Sequence, residues 1–544
     1  MKTKEKNGIS LIVLVITILV MIILAGVVIV SLQESNPINK AKEANFKSDV
    51  SNFASELGLG MSNELALNIG TTSTDVVAVK GEQVKKYVNS FSKKYENKII
   101  IIDGKLGYLK DGSKEEKWAE EAGLEIFKSP NKPALSEGMI PIKFNGTNWV
   151  ICKEDDPKWY NYEKELWANV MLSDGKYIYK DGKLTKRDNT AITKEELSNG
   201  INDEDLGSMF VWIPRFAYSI KEYKTDKYIN TEEGSVQEIH DITFLLGGSN
   251  CDIEGKRYAK TYDTTKCKKN EATPKIVHPA FNFGGKEVTG IWVAKFEASK
   301  NVENVKIGPG KETWNYIDRH SMLKKCLEIK DKKSIYGISS IDSHLMKNTE
   351  WGAVAYFTTS KYGSTPKISN KFTNIAHNNY KIYTGGENYR INVDQSTTGN
   401  ITGIYDMNGG GCEAVAGYIA TSSNLGNNLV FNNNTIKPEY EKYYDKYIDG
   451  FCGNKENNVK GDAVYEIIDD TKIPIKTDGL TLYNNDMLED MINPNDDPFI
   501  YRGGDCKRSD QQAKPLEVGI FCINCGSPNK HRFKTFRPTL VALN

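Results

Sequence analysis

LIVLVITILVMIILAGVVIVSL, residues 11–32, is the stretch around which the rest of the chain is organised. No charged residue occurs between Lys6 and Glu34. At about 1.5 Å per residue, a helix of this length extends roughly 33 Å, which is close to the thickness of a bilayer hydrocarbon core. The sequence therefore predicts that Leu11–Leu32 is a membrane-spanning helix, with the membrane as its partner.

The charges beside this stretch predict its orientation. Residues 1–8 form a short basic leader in which Lys2, Lys4 and Lys6 outnumber the single Glu5. A flanking excess of lysine favours the cytoplasmic side of a membrane. Mean hydropathy is −0.49 over the chain, and no second long apolar run follows. We therefore expect a single-pass membrane protein with a cytoplasmic N-terminus and its bulk extracellular, at the cell surface or in a pilus-like structure.

Three interpretations of the leader remain open on the residues alone. A cleaved secretory signal has a shorter apolar core, of about 7–15 residues, followed by a small-x-small site. The stretch here is longer and has no clear A-x-A after it. A plain signal anchor accounts for both the length and the charges. The third interpretation, a prepilin, depends on the residues at the junction between leader and apolar stretch.

That junction, Gly8-Ile9-Ser10-Leu11-Ile12, resembles the leader of type IV prepilins and pseudopilins. The resemblance implies that a prepilin peptidase cleaves after Gly8 and leaves Ile9 as a methylated N-terminus. The apolar helix then stays in the membrane. Pilins usually carry glutamate at the fifth mature position, where it pairs with a neighbouring subunit during assembly. This chain has Val13 there, which argues against incorporation into a filament.

Composition excludes some functional classes. Lys+Arg and Asp+Glu are equal at 71 each, so net charge gives no reason to expect a nucleic-acid partner. The 28 Tyr, 8 Trp and 45 Gly favour a loop-rich, β-containing fold or a surface that binds by stacking. Walker A, HExxH and dinucleotide motifs are absent, and the six histidines show no ligand spacing. No cofactor is predicted.

The N-terminal part is predicted to contain a stalk and a small head. Residues 9–60 form the transmembrane and stalk helix, with Asn36 capping a second segment that starts at Pro37. Gly58 and Gly60 are expected to end that segment. Residues 61–130 form a pilin-head-like region. It holds a helix over 82–95, a hairpin over 98–108 with an Asp-Gly turn, and a helix over 115–122.

A turn-rich segment, Ser129–Pro133, predicts a boundary. Residues 131–280 then form an aromatic-rich, β-containing region with a polar insert. Its first strands, 140–144 and 149–151, flank the hairpin residues Asn145-Gly146. Cys251 and Cys267 in the insert are close enough in sequence for a local disulfide. Residues 281–544 begin with a strand over 290–297 and a helix over 316–328, and Ser343 is expected to cap a helix over 344–357.

Three short stretches in residues 281–544 carry a second resemblance. They are Gly403-Ile404-Tyr405-Asp406-Met407-Asn408-Gly409 with Glu413 after it, Tyr501-Arg502-Gly503-Gly504-Asp505, and Gly519-Ile520-Phe521 leading to Phe536-Arg537-Pro538. In this order they resemble the formylglycine-generating enzyme/sulfatase-modifying superfamily. The resemblance implies a C-type-lectin-like fold over about residues 280–544. The predicted fold class is therefore α+β, with a long N-terminal helix, mixed regions and a loop-rich C-terminal domain.

Asp406, Arg502 and Arg537 are predicted to be structural residues. Each is charged and lies in an apolar or glycine-rich run. A charge in such a run is expected to pair with another charge or to hydrogen-bond backbone.

The superfamily's enzymes use a cysteine pair that holds copper. Cys522 and Cys525 are the candidates here, but the pair is more closely spaced, and both tryptophans of the family's Gly-Asn-Val-Trp-Glu-Trp pattern are replaced. A lone CxxC is also a weak zinc signal. A disulfide or incidental thiols, another metal and a copper active site all stay open, and we expect a protein that is not an enzyme.

The polar stretch between Asp505 and Lys534 is the expected binding surface. In related domains diversified by retroelements, the variable positions lie just before the terminal Phe-Arg-Pro. The candidate binding residues share polar side chains; they are Lys507, Arg508, Asn524, Asn529, Lys530 and His531. The sequence thus predicts a surface protein that displays a ligand-binding domain for an unknown extracellular ligand. A structural minor pilin and a copper-dependent formylglycine-generating-type enzyme are the alternatives.

Overall fold

The structure is a computed structural model, and its fold is α+β. It describes residues 37–67, 76–221, 240–263, 266–268, 271–331, 334–338, 340–363, 375–376, 381–386, 389–391, 393, 395–420, 438–448, 460–463, 499–504, 518–526 and 534–543. The predicted processing residues Gly8 and Ile9 and the predicted span Leu11–Leu32 lie outside these residues. Across the described ranges, no helix is both long and apolar enough to cross a membrane.

The chain divides into two compact units at Lys128/Ser129. Unit 1 precedes this point and unit 2 follows it. The division falls at the start of the turn-rich segment Ser129–Pro133.

Unit 1 is built on a long helix, α1 (Pro37–Leu67). Its buried positions are spaced four, three and four residues apart, at Phe46, Val50, Phe53 and Leu57, which places them on one helix face. The predicted helix end at Gly58 and Gly60 is wrong, because α1 continues to Leu67. Tertiary packing accounts for one of these glycines: a Cβ on Gly60 would lie 2.6 Å from the Tyr87 carbonyl oxygen.

A small sheet and two short helices complete unit 1. The helix predicted over 82–95 is reduced to α2 (Gly81–Val84) and a 3₁₀ turn (Lys93–Tyr95). The hairpin is confirmed: β1 (Ile99–Ile102) pairs antiparallel with β2 (Lys105–Leu109), and Asp103 and Gly104 both have positive φ in the turn. Helix α3 (Lys114–Glu121) starts at the Ser113 cap and leads to β3 (Glu125–Phe127), which runs parallel to β2.

Unit 2 contains the remaining elements. In chain order its strands are β4 (Met139–Phe144), β5 (Trp149–Ile151), β6 (Asn169–Leu172), β7 (Tyr177–Lys180), β8 (Lys183–Lys186), β9 (Met209–Pro214), β10 (Phe216–Ile220), β11 (His240–Phe244), β12 (Ile276–Val277), β13 (Asn282–Phe283), β14 (Lys286–Glu287), β15 (Gly290–Ala294), β16 (Ser299–Asn301), β17 (Asn304–Lys306), β18 (Ile341–Leu345), β19 (Ile375–Ala376), β20 (Lys381–Ile382), β21 (Cys412–Ala420), β22 (Asp445–Ile448), β23 (Phe499–Gly504), β24 (Val518–Gly526), β25 (Lys534–Phe536) and β26 (Pro538–Ala542). Its helices are α4 (Lys194–Asn199), α5 (Arg319–Glu328) and α6 (Asn348–Thr358).

A seven-stranded antiparallel sheet forms the centre of unit 2, in the order β18-β26-β15-β9-β6-β4-β5. Three strands from after residue 280 and four from before it therefore share one sheet, and the two groups meet where β15 pairs with β9. Trp212 of β9 is paired with Trp292 of β15, and their ring centroids are 5.1 Å apart. The boundary predicted at 280 does not separate compact units, because these non-local strand pairs give both regions one core.

The insert after β9 contradicts the predicted disulfide. Strand β10 follows β9 after Pro214 and pairs with β11 and β12. Cys251 is buried beyond β11, whereas Cys267 is half-buried and its thiol lies 3.8 Å from the Asp263 carbonyl oxygen. Neither cysteine forms a disulfide, so closeness in sequence did not bring their sulfurs together.

Residues 341–345 form a strand and not the start of a helix. β18 pairs with β26 along its length, with Ser343 opposite Leu540. Helix α6 starts later, at Asn348, where the Glu350 carboxylate accepts a hydrogen bond from the Lys347 amide. The predicted Ser343 cap is therefore wrong, since its backbone is used in a non-local sheet.

Candidate functional site

The C-terminal sheet of unit 2 carries the motif residues that the sequence analysis singled out. Its strand order is β22-β21-β23-β24, and β25 also pairs with β21. Glu413 lies on β21 opposite Arg502 of β23 and beside Thr535 of β25. Arg537 directly follows β25. This topology brings residues separated by more than 100 positions into one region.

Arg537 is the centre of a buried ion-pair network. Its guanidinium donates to both oxygens of Glu413, with Nη2–Oε1 at 2.7 Å and Nε–Oε2 at 2.9 Å. It also donates to the carbonyl oxygens of Ala294 and Tyr405, at 2.7 and 2.8 Å. Such a fork-to-fork pair fixes geometry strongly. Arg537 and Glu413 are fully buried, so this network ties β21, β15 and the 403–409 loop together.

Asp406 lies in the same region, in a left-handed backbone conformation with φ of 69°. Both of its carboxylate oxygens accept from the Gly385 amide, at 2.9 and 3.1 Å. Burial raises the Asp406 pKa to about 7, against the opposing influence of Arg537. Burial therefore favours the protonated form of the Asp406 carboxyl.

Glu297 is a third buried carboxyl that sequence reasoning did not select. Its Oε1 accepts from the Gly411 amide at 2.9 Å and from the Thr535 hydroxyl at 3.1 Å. Burial raises its pKa well above the usual range, and the charges of Glu413 and Asp406 raise it further. Glu297 lies inside an apolar run, Gly290–Glu297, so the criterion that selected Asp406 would also have found it.

Three carboxyl groups face one guanidinium, and burial of an unpaired carboxylate is strongly disfavoured. Burial raises the pKa values of Asp406, Glu297 and Glu413, and neighbouring carboxylates raise those of Asp406 and Glu297 further. All of these side chains are buried. The arrangement suits a scaffold more than a site that reaches substrate.

Arg502 lies at a separate position and serves a similar purpose. It donates to Asn348 Oδ1 at 3.0 Å and to the Asp462 carbonyl oxygen at 3.1 Å. Its guanidinium carbon lies 5.7 Å from the Trp351 ring centroid, and the Trp351 indole donates to the Ile520 carbonyl at 2.6 Å. Arg502 therefore connects α6, the 460–463 segment and β24, and the structure does not place it in the Arg537 network.

Arg319 and Lys295 are two of the further buried cations that sequence reasoning did not select. Arg319 donates to the Gly417 carbonyl oxygen at 2.9 Å, from the start of α5. Lys295 is fully buried, and its ammonium donates to the carbonyls of Ile401 and Gly403 at 2.7 and 2.6 Å. Burial lowers the Lys295 pKa well below its usual range. Its position within the apolar strand sequence was the available signal.

The predicted binding residues fall mostly outside the described part of the chain. Asn524 lies on β24 with its backbone opposite Tyr501 of β23. Lys507, Arg508, Asn529, Lys530 and His531 lie outside the described residues. The strands β23, β24 and β25 hold the residues on either side of the stretches 505–517 and 527–533 in one sheet.

Cys522 and Cys525 both belong to β24, and Cys525 is opposite Ile500 of β23. Within the described ranges, no group of three or more His, Cys, Asp or Glu side chains is arranged to hold a metal ion. The thiol, disulfide and metal interpretations of this pair therefore stay predictions.

Comparison of the sequence with models of known protein families found no match, and comparison with curated proteins found no similar protein.

Proposed function

We propose that this chain is a membrane-anchored, prepilin-processed surface protein that displays a C-type-lectin-like domain for adhesion or recognition. Arg537 carries the proposal. Its four hydrogen bonds engage the Glu413 carboxylate and two backbone carbonyls, at 2.7 to 2.9 Å. The residues that resemble an enzyme superfamily are thus engaged in holding the fold. The proposed mechanism is recognition without chemistry.

The scaffold gives the C-terminal polar stretch a firm base. Binding residues often lie on connections that a rigid framework positions. Here β23 and β25 both pair with β21, and Arg502 and Arg537 secure the ends of β23 and β25 by buried hydrogen bonds. We therefore assign ligand recognition to the six predicted residues from Lys507 to His531.

The test uses cells that express the full chain. Cells are applied to arrayed glycans and to immobilised gelatin and fibrinogen. We expect retention on at least one of these surfaces, lowered at least tenfold when all six candidate residues are replaced by alanine. The matched control replaces six exposed polar residues of unit 2: Lys153, Glu154, Lys158, Glu195, Lys266 and Lys268.

Two results would contradict the proposal. One is the absence of retention on every surface, and the other is unchanged retention by the six-alanine variant. Conversion of a sulfatase-type cysteine peptide by the full chain in the presence of copper would overturn the non-catalytic mechanism.

The second candidate function is that of a structural minor pilin, and one exposed face of α1 favours it. Opposite the buried residues, the helix exposes Ala41, Ala44, Ser48, Ser51 and Ser55. Small side chains allow two helix backbones to approach closely. Under this function, filaments sheared from cells contain the chain, and Gly8→Leu, which blocks cleavage, removes it from them. Sheared filaments that lack the unaltered chain would exclude this candidate.

A further inference from the structure

The junction between β18 and α6 holds a buried lysine opposite a buried aspartate. Lys347 is the residue before α6, and Asp445 is the first residue of β22. Nζ of Lys347 lies 3.8 Å from Oδ1 of Asp445, and only 7% and 9% of the two side chains are exposed. The two residues are far apart in the sequence, so the fold itself brings this amine and this carboxyl together.

Backbone hydrogen bonds fix the positions of both residues. Strand β22 runs parallel to β21, with Asp445 opposite Gly417. The Met346 carbonyl accepts a hydrogen bond at 2.7 Å from the Ala416 amide, which also belongs to β21. The Thr349 amide donates to Asp445 Oδ2 at 2.6 Å. The lysine and the aspartate are therefore attached to neighbouring backbones that pair with the same strand.

The contact differs from an ordinary ion pair of this protein. An ammonium and a carboxylate that hydrogen-bond directly are about 2.7–2.9 Å apart, which is shorter than the distance here. Elsewhere in unit 2, Lys306 lies 3.2 Å from Asp174 and donates to the Leu206 carbonyl at 2.7 Å, and Asp174 also accepts from the amide and the hydroxyl of Ser208. Those donors stabilise Asp174 as an anion. Two buried charges that meet without a hydrogen bond are costly.

The surroundings of Asp445 favour its uncharged form. Burial raises the Asp445 pKa against the opposing effect of the Lys347 charge, and a neighbouring carboxylate, Glu350, raises it further. One neighbouring group is apolar, since the Phe283 ring centroid lies 6.0 Å from Lys347 Nζ. A buried carboxylic acid beside an amine is the electrophile that amide formation requires.

Glu350 is the second carboxyl of this group. It lies in the first turn of α6 and is fully buried. Its Oε1 is 2.8 Å from His344 Nε2, and its Oε2 accepts a hydrogen bond from the Lys347 amide at 2.8 Å. Burial opposes its ionisation, but His344 and Lys347 together lower its pKa. Two carboxyls whose pKa values are shifted in opposite directions suit the roles of acid and base.

We propose that Lys347 and Asp445 condense to an isopeptide bond, an amide between their side chains, inside the folded chain. The neutral Lys347 amine attacks Cγ of the Asp445 carboxylic acid, and a C–N bond forms. Glu350 takes a proton from the nitrogen and passes a proton to the departing hydroxyl, so the C–O bond breaks and one water leaves. No oxidant, reductant or cofactor is consumed.

Two physical effects favour this condensation. Groups that the fold holds close together react as if at very high concentration, so proximity supplies the rate. The product also replaces two groups that are costly to bury as ions with one neutral amide. The bond joins the start of α6 to β22, and its existence does not depend on the proposed function.

Peptide mass spectrometry tests the bond directly. Cells that express the full chain are lysed straight into guanidinium, so that no bond forms after lysis, and the chain is digested with trypsin. We expect residues 334–361 joined to residues 443–446, lighter than the two peptides together by the mass of one water, without cleavage after Lys347. Lys347→Arg should give separate peptides. In the same digest Lys306 and Asp174, as the internal control, should lie in separate peptides.

The role of Glu350 has its own variant. Glu350→Gln keeps an oxygen for the Lys347 amide but cannot take a proton, so the linked fraction should fall at least tenfold. The matched control is Glu196→Gln, at a glutamate that accepts from the Thr193 amide beside α4, and it should leave the linked fraction unchanged. Circular dichroism checks that both variants fold.

Recovery of residues 334–347 and 443–446 as separate, unmodified peptides from the unaltered chain would overturn the inference. This result is independent of whether Glu350→Gln folds. Full linkage in a folded Glu350→Gln chain would overturn the role given to Glu350.

Discussion

Acid should destabilise unit 2 through two buried histidines. His240 of β11 stacks on Tyr356 of α6, with ring centroids 4.0 Å apart, and its Nδ1 is 2.7 Å from the Thr359 hydroxyl. His278 contacts the Tyr218 and Tyr356 rings, at 5.1 and 5.5 Å. Burial lowers the His240 pKa to about 3. The His278 pKa is also lowered well below its usual range, by burial and by the His240 charge.

Proton linkage gives the sign and the size of this loss of stability in acid. The pKa of His240 is lower in the folded state, about 3, than its unfolded value of 6.5. Its neutral form therefore stabilises the fold fully above pH 6.5. This stabilisation is lost as the pH falls toward 3, because the unfolded chain takes up the proton first. At about pH 4.5, some 2 pH units below the unfolded pKa, protonation of His240 alone should lower the free energy of unfolding by about 3 kcal/mol. His278 adds a loss of the same sign. This is a large part of a typical stability of about 5–15 kcal/mol.

The informative variant is His240→Phe, which keeps a ring against Tyr356 and cannot be protonated. At pH 7.5 it should be less stable by about 1 kcal/mol, because the contact with Thr359 is lost. At pH 4.5 it should be more stable than the unaltered chain, by about 1–2 kcal/mol after the same loss. The two stability curves should therefore cross between these pH values.

Guanidinium unfolding of the full chain in detergent measures this. Tryptophan fluorescence follows unit 2, since seven of the eight tryptophans lie after residue 128. Asp406 and Glu297 have raised pKa values, which favour the folded state in acid. Comparing His240→Phe with the unaltered chain at the same pH cancels this opposite effect. Thr359→Val, which removes the hydroxyl contact but keeps His240, is the control and should show no crossing. A His240→Phe curve parallel to that of the unaltered chain would refute the reasoning.

Two other predictions concern packing. Arg537→Met leaves Glu413 buried without its partner and should lower the free energy of unfolding by about 3–5 kcal/mol; Arg537→Lys should not restore it, because an ammonium cannot bind both carboxylate oxygens as a fork. The control, Arg187→Met, replaces an exposed arginine that donates to the Gly175 carbonyl and should lower the free energy of unfolding by about 1 kcal/mol or less. Equal shifts of the unfolding midpoint for Arg537→Met and Arg187→Met would contradict the scaffold role of Arg537. In α1, Gly58→Ala should stabilise the helix by up to about 1 kcal/mol, since a Cβ there meets nothing within 4 Å. Amide hydrogen exchange in α1 should therefore become slower. Gly60→Ala should speed exchange because its Cβ would lie 2.6 Å from the Tyr87 carbonyl oxygen, so the same sign for both glycines would count against the packing of α1.

Local chemistry made part of the fold predictable. The Asp103-Gly104 turn and the hairpin of β4 and β5 were identified because adjacent residues determine them. In each case the interactions that specify the element lie within about ten residues of one another.

Non-local strand pairing accounts for the features that the sequence did not predict. Ile341–Leu345 is a strand only because β26, almost 200 residues later, supplies its hydrogen bonds. The residues before and after position 280 share one sheet because β9 pairs with β15. Neither partner can be identified from periodicity in one sequence.

The candidate site was partly predictable for a different reason. A charge inside an apolar run is visible in sequence, and Asp406, Arg502 and Arg537 were selected in that way. The same rule applies to Lys295 and Glu297, which were not selected. Their partners are backbone carbonyls and amides from distant loops, such as Ile401 and Gly411, and a sequence does not reveal those contacts.

Surface labelling of intact cells tests the central claim, that unit 2 is displayed outside the membrane. Lys266 and Lys268 are strongly exposed, with 82% and 76% of their side chains accessible. A membrane-impermeant amine reagent is applied to cells that express the full chain, and peptides with both lysines are quantified by mass spectrometry beside those of a cytosolic protein. Display predicts modification of both lysines in intact cells while the cytosolic protein stays unmodified. Modification of these lysines only after lysis would contradict it.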